Sequence, residues 1–252
     1  MDHSSQIRMV HGADTAVLFI HGILGTPRHF SHILPLVERV PDHISYYNLR
    51  LPGHGGSAKD FSDSSMQQWK QEVWKVFDML AREHERIVIV GHSMGTLFAL
   101  QLAMEYPQKV SQLFLIASPI RPWVSFCGMA CCMRAAFGCP REDHPAEMAI
   151  LMAGGTKLTA KLWRYLPWIP NMIALLREAL RTEKMLPGLQ TKTIVYQSRR
   201  DEMVSLTSGK ILQRLPTVSL TTLPNSTHFY YPPQDEELVC TAFTEALTKL
   251  KK

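Results

Sequence analysis

The 252-residue sequence has no apolar run long enough to span a bilayer and no block of Lys or Arg longer than a pair. The first absence excludes an integral membrane helix, which needs about 20 consecutive apolar residues. The second, at a net charge of only +5, argues against nucleic acid as a partner, because phosphate recognition calls for clustered cations. The opening Met1-Asp2-His3-Ser4-Ser5-Gln6 is polar and lacks the apolar core of a secretory leader. Cysteine is sparse and odd in number: five in all, four of them between Cys127 and Cys139. The spacing Cys127-x3-Cys131-Cys132-x6-Cys139 lacks paired Cys-x-x-Cys units, so no metal site is expected. Reduced thiols, and hence a cytoplasmic location, are the expectation. What is present is ordinary core material: 46% hydrophobic residues, enough for one large domain or one domain carrying an insertion.

The most informative stretch runs from Ile87 to Gly95. Four apolar, mostly β-branched residues, Ile87-Val88-Ile89-Val90, read as a fully buried strand. Gly91-His92-Ser93-Met94-Gly95 follows, and then Thr96-Leu97-Phe98-Ala99-Leu100-Gln101-Leu102-Ala103-Met104 reads as a helix. A Gly-x-Ser-x-Gly pentapeptide between strand and helix has the context of a nucleophile elbow. The competing reading is a strand–helix turn that happens to contain serine. The tight turn leaves no room for side chains at Gly91 and Gly95. It lifts Ser93 clear of the sheet, at a helix N-terminus whose dipole favours developing negative charge.

Around this stretch the chain alternates strands and helices. Thr15–Ile20 is a second buried strand, delivering His21-Gly22-Ile23-Leu24-Gly25; a helix is expected over 27–40. Ile44–Leu49 is a strand ending in the Gly-rich loop Leu51-Pro52-Gly53-His54-Gly55-Gly56. Residues 66–82 place Trp69, Val73, Val76, Phe77 and Leu80 on one helical face. Val110–Ile116, 193–196 and Val218–Leu223 are further strands. Pro233–Lys249 is a terminal helix whose apolar set is Leu238, Val239, Ala242, Phe243, Ala246, Leu247 and, just beyond, Leu250. Such alternation calls for a mainly parallel sheet with helices on both faces. Ligands in open sheets of this kind bind beyond the carboxyl ends of the strands.

The interval 119–186 breaks the pattern. It has no convincing strand, holds four of the five Cys and three of the five Trp, and carries nine Lys plus Arg against five Asp plus Glu. Helices are expected at 124–137, 144–152, 156–165 and 171–185. An insertion here, over the strand ends, reads as a cap, giving a core of 1–118 and 187–252 with a helical cap at 119–186. Most of its Met and Trp would pack between cap helices, and some would face the cleft as adaptable apolar surface.

A serine hydroxyl needs a neighbouring base, and the base a carboxylate to orient it. For an elbow serine the chain order is Ser, then Asp or Glu, then His. Asp201 is the first acid after the strand at 193–196; Glu202 beside it competes for the role. His228 is the only histidine after Asp201. The oxyanion of an acyl-transfer intermediate needs N–H donors. The backbone N–H groups of Met94 and of Ile23 are the candidates, with Leu24 also open. His21, His54 and His92 read as structural residues beside the elbow.

Gly91-His92-Ser93-Met94-Gly95, His21-Gly22-x-x-Gly25, Leu51-Pro52-Gly53-His54-Gly55, Arg199-x-Asp201-Glu202-Met203-Val204 and the late His228 together resemble the α/β-hydrolase superfamily. The likeness is greatest to bacterial carboxylesterases and monoacylglycerol lipases. It implies an α/β-hydrolase fold with a helical cap inserted after the sixth strand. It also implies a triad of Ser93, Asp201 and His228, oxyanion donors at Ile23 and Met94, and no cofactor. The expected substrate is a small carboxylic ester with an apolar acyl group. Thioester, amide or carbon–carbon bond hydrolysis would use the same residues, and a non-catalytic binding protein on this fold is the reading of a different class. Two departures stand out: His228 follows Ser226-Thr227 where relatives often have Ser-Gly, and Thr96 follows Gly95.

Overall fold

The runs Thr15–Ile20 and 87–90 are apolar on both sides of the chain, so a sheet built from them has to be covered on both faces. The computed structural model describes residues 3–39, 43–122, 143–153 and 162–249, with positions 130, 134, 139 and 141. Among these, seven strands form one sheet: β1 (Gln6–Arg8), β2 (Thr15–Ile20), β3 (Ile44–Leu49), β4 (Arg86–His92), β5 (Val110–Ile116), β6 (Lys192–Ser198) and β7 (Val218–Leu223). Their spatial order is β1-β3-β2-β4-β5-β6-β7. All neighbours run parallel except β1, which is antiparallel to β3. β4, which leads into Ser93, is therefore central, bonded to β2 on one side and β5 on the other.

Eight α-helices lie among the described residues: α1 (Leu34–Glu38), α2 (Ala58–Ser62), α3 (Met66–Glu83), α4 (Met94–Glu105), α5 (Pro145–Ala153), α6 (Ile169–Met185), α7 (Leu206–Leu212) and α8 (Pro233–Lys249). Two apolar clusters separate by strand alternation. Ala16, Leu18, Ile20, Ile87, Ile89, Leu113 and Leu115 face α3 and α4 through Trp69, Phe77, Leu97 and Phe98. Val17, Phe19, Val88, Val90, Phe114 and Ile116 face α1 and α8 through Leu34, Val37, Phe243 and Leu247. Each fully buried aromatic or Leu side chain contributes about 1.5–3 kcal/mol. The five apolar residues expected on one face of α3 are all buried. Ser65 caps that helix, its hydroxyl accepting the Gln68 N–H.

Several expectations are corrected. The single helix at 27–40 is a 3-10 turn, Pro27–Phe30, followed by the short α1. Pro35 explains the break, since it has no N–H and its ring clashes with the carbonyl four residues before it in a continuous helix. Leu238 is exposed, while Val239, Phe243, Ala246 and Leu247 are the buried set of α8; Leu250 lies outside the described residues. The helical stretch follows the fifth strand in chain order and not the sixth, because only the short β1 precedes β2.

Within that stretch, α5 and α6 fall within two residues of the expected 144–152 and 171–185. The helix expected at 124–137 lies outside the described residues apart from positions 130 and 134. Of the helix expected at 156–165, the described part is 3-10, Leu162–Trp168, with Pro167 inside it. No strand interrupts the described residues between β5 and β6. No helix among the described residues is long and apolar enough to cross a membrane.

Candidate active site

The sharp turn from β4 into α4 forces Ser93 to φ 52°, ψ −126°, a conformation that side-chain-bearing residues rarely adopt. Hydrogen bonds hold it there: the Ser93 N–H donates to the Ile116 carbonyl at 2.9 Å, and the Ser93 carbonyl accepts the Thr96 N–H at 2.9 Å and hydroxyl at 2.7 Å. Both flanking glycines are sterically required. A Cβ on Gly91 would sit 2.8 Å from the Thr96 Cα, and one on Gly95 only 2.0 Å from the Ile20 carbonyl oxygen. Met94 is the first residue of α4, so its N–H has no intrahelical acceptor.

The loop after β2 passes directly over the elbow. A Cβ on Gly22 would lie 2.7 Å from the Ser93 Cβ and 3.3 Å from its Oγ. The loop closes as a turn, the Gly25 N–H donating to the Gly22 carbonyl at 3.1 Å, with Leu24 at φ 58°. Ile23 occupies the second position of this turn, where the N–H is not used by the turn's own hydrogen bond. His21 braces the loop from beneath. Its Nε2 accepts the Leu51 N–H at 3.1 Å, which leaves the proton on Nδ1 to donate to the Gly22 carbonyl at 2.8 Å.

Asp201 and His228 come from the loops after β6 and β7 and meet in space. His228 Nδ1 lies 3.0 Å from both Asp201 oxygens. The carboxylate also accepts the Met203 and Val204 N–H groups at 2.9 and 2.8 Å and the Gln197 side-chain amide at 3.2 Å. An ionised carboxylate only accepts, so Nδ1 carries the proton and Nε2 is left with its lone pair. Burial alone would raise the Asp201 pKa, but the charge and hydrogen bond of His228 and the two backbone donors outweigh it, and the group is held below the usual carboxylate value. Burial would likewise lower the His228 pKa, but the charge and hydrogen bond of Asp201 and the charge of Glu202 carry it above 6.5.

Glu202, the competing acid, serves the backbone and not the ring. It accepts the His228 N–H at 3.1 Å. The His228 carbonyl accepts from His92 Nε2 at 3.0 Å and from the Tyr231 hydroxyl at 3.2 Å. His228 is thus fixed at its side chain, its backbone N–H and its carbonyl. Nothing in the sequence pointed to Tyr231, and the His92 contact spans 136 positions. Ring packing continues below: His92 lies 5.0 Å from His228 and 4.7 Å from His29, and His21 lies 5.0 Å from His54, centroid to centroid. Burial lowers the pKa of His92 to about 3 and of His54 to about 4. Both stay neutral near pH 7 and add no positive charge beneath His228.

Beside these groups lies a cavity of about 420 Å³, bordered by His92, Phe229, Tyr231, Arg28 and, from α5, Met152. It adjoins the chain neighbours of Ser93 and His228. Among the described residues no group of three or more His, Cys, Asp or Glu side chains is arranged to hold a metal ion. Neither Cys139 nor Cys240 is joined in a disulfide; Cys127, Cys131 and Cys132 lie outside the described residues.

This arrangement has relatives. The chain is 36% identical over 109 residues to the dihydrolipoyllysine-residue acetyltransferase component of the acetoin cleaving system of Cupriavidus necator, covering 43% of this chain and 27% of that protein. It is 32% identical over 110 residues to the pimeloyl-acyl-carrier protein methyl ester esterase of Xanthomonas campestris pv. campestris, covering 44% of this chain and 40% of that one. The match therefore spans well under half the length of these curated relatives. The whole fold is similar to a structure of the metagenome-derived lipolytic enzymes LipS and LipT, with a TM-score of 0.72, 21% identity and 98% of both chains covered. It is also similar to Est1E from Butyrivibrio proteoclasticus with ferulic acid bound, with a TM-score of 0.65, 18% identity and 99% and 96% of the two chains covered. At such identities these two likenesses concern the fold. A family model described as the alpha/beta hydrolase family matches residues 17–242. With its sheet, its elbow and a family match across most of its length, the chain belongs to the alpha/beta hydrolase family.

Proposed function

We propose that the protein is a serine carboxylesterase that hydrolyses short- to medium-chain carboxylic esters, monoacylglycerols among them, through an acyl-enzyme on Ser93. The observation that carries this reading is the Asp201–His228 pair, which leaves His228 Nε2 as a free base on the loop tied to the elbow through His92. Ser93 Oγ attacks the ester carbonyl carbon while His228 Nε2 takes its proton. The N–H groups of Ile23 and Met94 receive the oxyanion. The tetrahedral intermediate collapses, and the alcohol leaves with the proton returned by His228. Water then attacks the acyl-enzyme, again giving its proton to His228, and the acid departs from a restored Ser93. Asp201 keeps the proton on Nδ1 and stabilises the imidazolium formed in each half-reaction.

The same reading makes residues 1–118 and 187–252 the catalytic core and 119–186 a cap. Met152 of α5, which borders the same cavity as His92, supports that division. The likeness to a methyl ester esterase supports the ester bond as the one cleaved. Incubation with a fluorophosphonate probe should label Ser93, and p-nitrophenyl butyrate should be turned over. Absence of both label and turnover would overturn the reading.

The dependence on pH follows from His228. As the proton acceptor it must be neutral, and its pKa lies above 6.5. kcat/KM should rise with pH through a midpoint above 6.5, with unit slope on the acid side. Asp201→Asn removes the carboxylate charge, so the residual activity should be far lower and its midpoint shifted down. A profile flat from pH 5 to 8 would remove His228 from the role of base.

A further inference from the structure

α6 carries apolar side chains on its outer face as well as its inner one. Its inward face packs Met172, Leu175 and Ala179 against the core and adds polar bonds. The Asn171 side chain accepts the Met66 N–H at 3.2 Å and donates to the Ser64 carbonyl at 3.0 Å. The Gln101 side-chain amide donates to Glu178 at 2.8 Å and to Thr182 at 2.9 Å. Arg121 pairs with Glu183 at 2.8 Å. Its outward face is apolar. Ile169, Ile173, Leu176 and Leu180, spaced by four, three and four positions on one side of the helix, are 51, 44, 50 and 51% exposed. The preceding 3-10 run adds Trp163 and Leu166, 65 and 63% exposed.

Large apolar side chains scattered singly over a surface need no explanation, but four in one row on a helix, with two more on the run just before it, mark an interaction site. The charges beside the stripe select the occupant. Arg177, Arg181 and Lys184 are exposed on α6, whereas its two carboxylates, Glu178 and Glu183, are engaged in ion pairs with Lys70 and Arg121. The charges of α6 outside ion pairs are therefore all cationic. A second copy of the chain docking here would set the same cations against each other with no carboxylate of this helix to pair them. An apolar stripe flanked by Arg and Lys, with Trp at one end, matches a helix lying in the headgroup region of an anionic bilayer.

We propose that the outer face of residues 163–184 docks the protein on anionic lipid surfaces, with the stripe inserted among acyl chains and the three cations among phosphates. The proposal is independent of the esterase reading and needs no turnover to test. The full chain is floated with vesicles of phosphatidylcholine and phosphatidylglycerol at 3:1 and with vesicles of phosphatidylcholine alone. Binding at least tenfold stronger to the anionic vesicles, weakened by added salt, is expected. The triple variant Ile173→Ser, Leu176→Ser, Leu180→Ser should lose binding to both, and Arg177→Glu with Arg181→Glu should lose the preference for anionic lipid. All these side chains are exposed, and unchanged circular dichroism and melting confirm that the variants fold. The proposal is overturned if the wild type binds neither vesicle at 1 mM lipid. It is equally overturned if the triple variant binds as well as wild type, or if the stripe instead mediates a dimer that the triple variant dissolves.

Discussion

Ser93→Ala should lower kcat for p-nitrophenyl butyrate by about 10⁵–10⁶-fold, as removal of an activated serine does where nucleophile and base act as one unit. The fold should hardly notice. Every hydrogen bond that holds Ser93 in the elbow runs through its backbone, the N–H to Ile116 and the carbonyl to Thr96. Alanine keeps all of them. The strain at φ 52° is carried by any residue with a Cβ, so Ala inherits it and Gly relieves it. Ser93→Gly should therefore be as inactive as Ser93→Ala and more stable than wild type, by about 1 kcal/mol. Esterase assays beside urea unfolding of the three proteins measure both arms. Wild-type turnover in Ser93→Ala would end the nucleophile assignment. A Ser93→Gly protein weaker than Ser93→Ala would mean that the elbow is not a strained turn.

Gly95→Ala should be the most destructive glycine-to-alanine change among the described residues. The added Cβ would meet the Ile20 carbonyl oxygen at 2.0 Å, the Ile20 carbonyl carbon at 2.6 Å and the His21 oxygen at 2.8 Å. These are backbone atoms at the end of β2, which is bonded to β3 on one side and β4 on the other. No rotamer can move out of the way. Either α4 lifts from the sheet or β2 breaks its ladder, and a cost of about 4 kcal/mol or more places the change among exceptional single substitutions. Much of a typical domain's stability of about 5–15 kcal/mol is then gone. Gly188→Ala is the control, since a Cβ there meets nothing within 4 Å. Its melting point should match wild type, whereas Gly95→Ala should melt about 8 °C or more lower or fail to accumulate folded. A Gly95→Ala protein melting with wild type would contradict the packing of α4 on β2.

Sequence reasoning located the main elements because the chain advertises them by period. The buried strands are unbroken β-branched runs, and α3 repeats its apolar residues at helical spacing. β1 escaped notice because Gln6-Ile7-Arg8 is three residues long and mostly exposed at a sheet edge, where burial imposes no pattern. α2 and α7, of five and seven residues, are too short to show a period. The expected helix over 27–40 divides near Pro35, which lacks the N–H that a continuous ladder needs.

At the site, Asp201 and His228 were legible from chain order and strand ends. The partition of labour between Asp201 and Glu202 was not. Both are carboxylates in adjacent positions, and only the direction of each side chain sends one to the imidazole and the other to the His228 N–H. The clamp on the His228 carbonyl by His92 and Tyr231 was equally hidden, since hydrogen bonds leave no periodic trace.

The dispersal of the site along the chain has a temporal consequence. Ser93, Asp201 and His228 sit beyond the ends of β4, β6 and β7, and β7 is the edge strand farthest along both sequence and sheet. If the proposed triad does the chemistry, a growing polypeptide should stay inactive until His228 has emerged and its strand has docked. During refolding, recovery of hydrolysis should lag the recovery of helical signal, and the delay would time the arrival of the last strand.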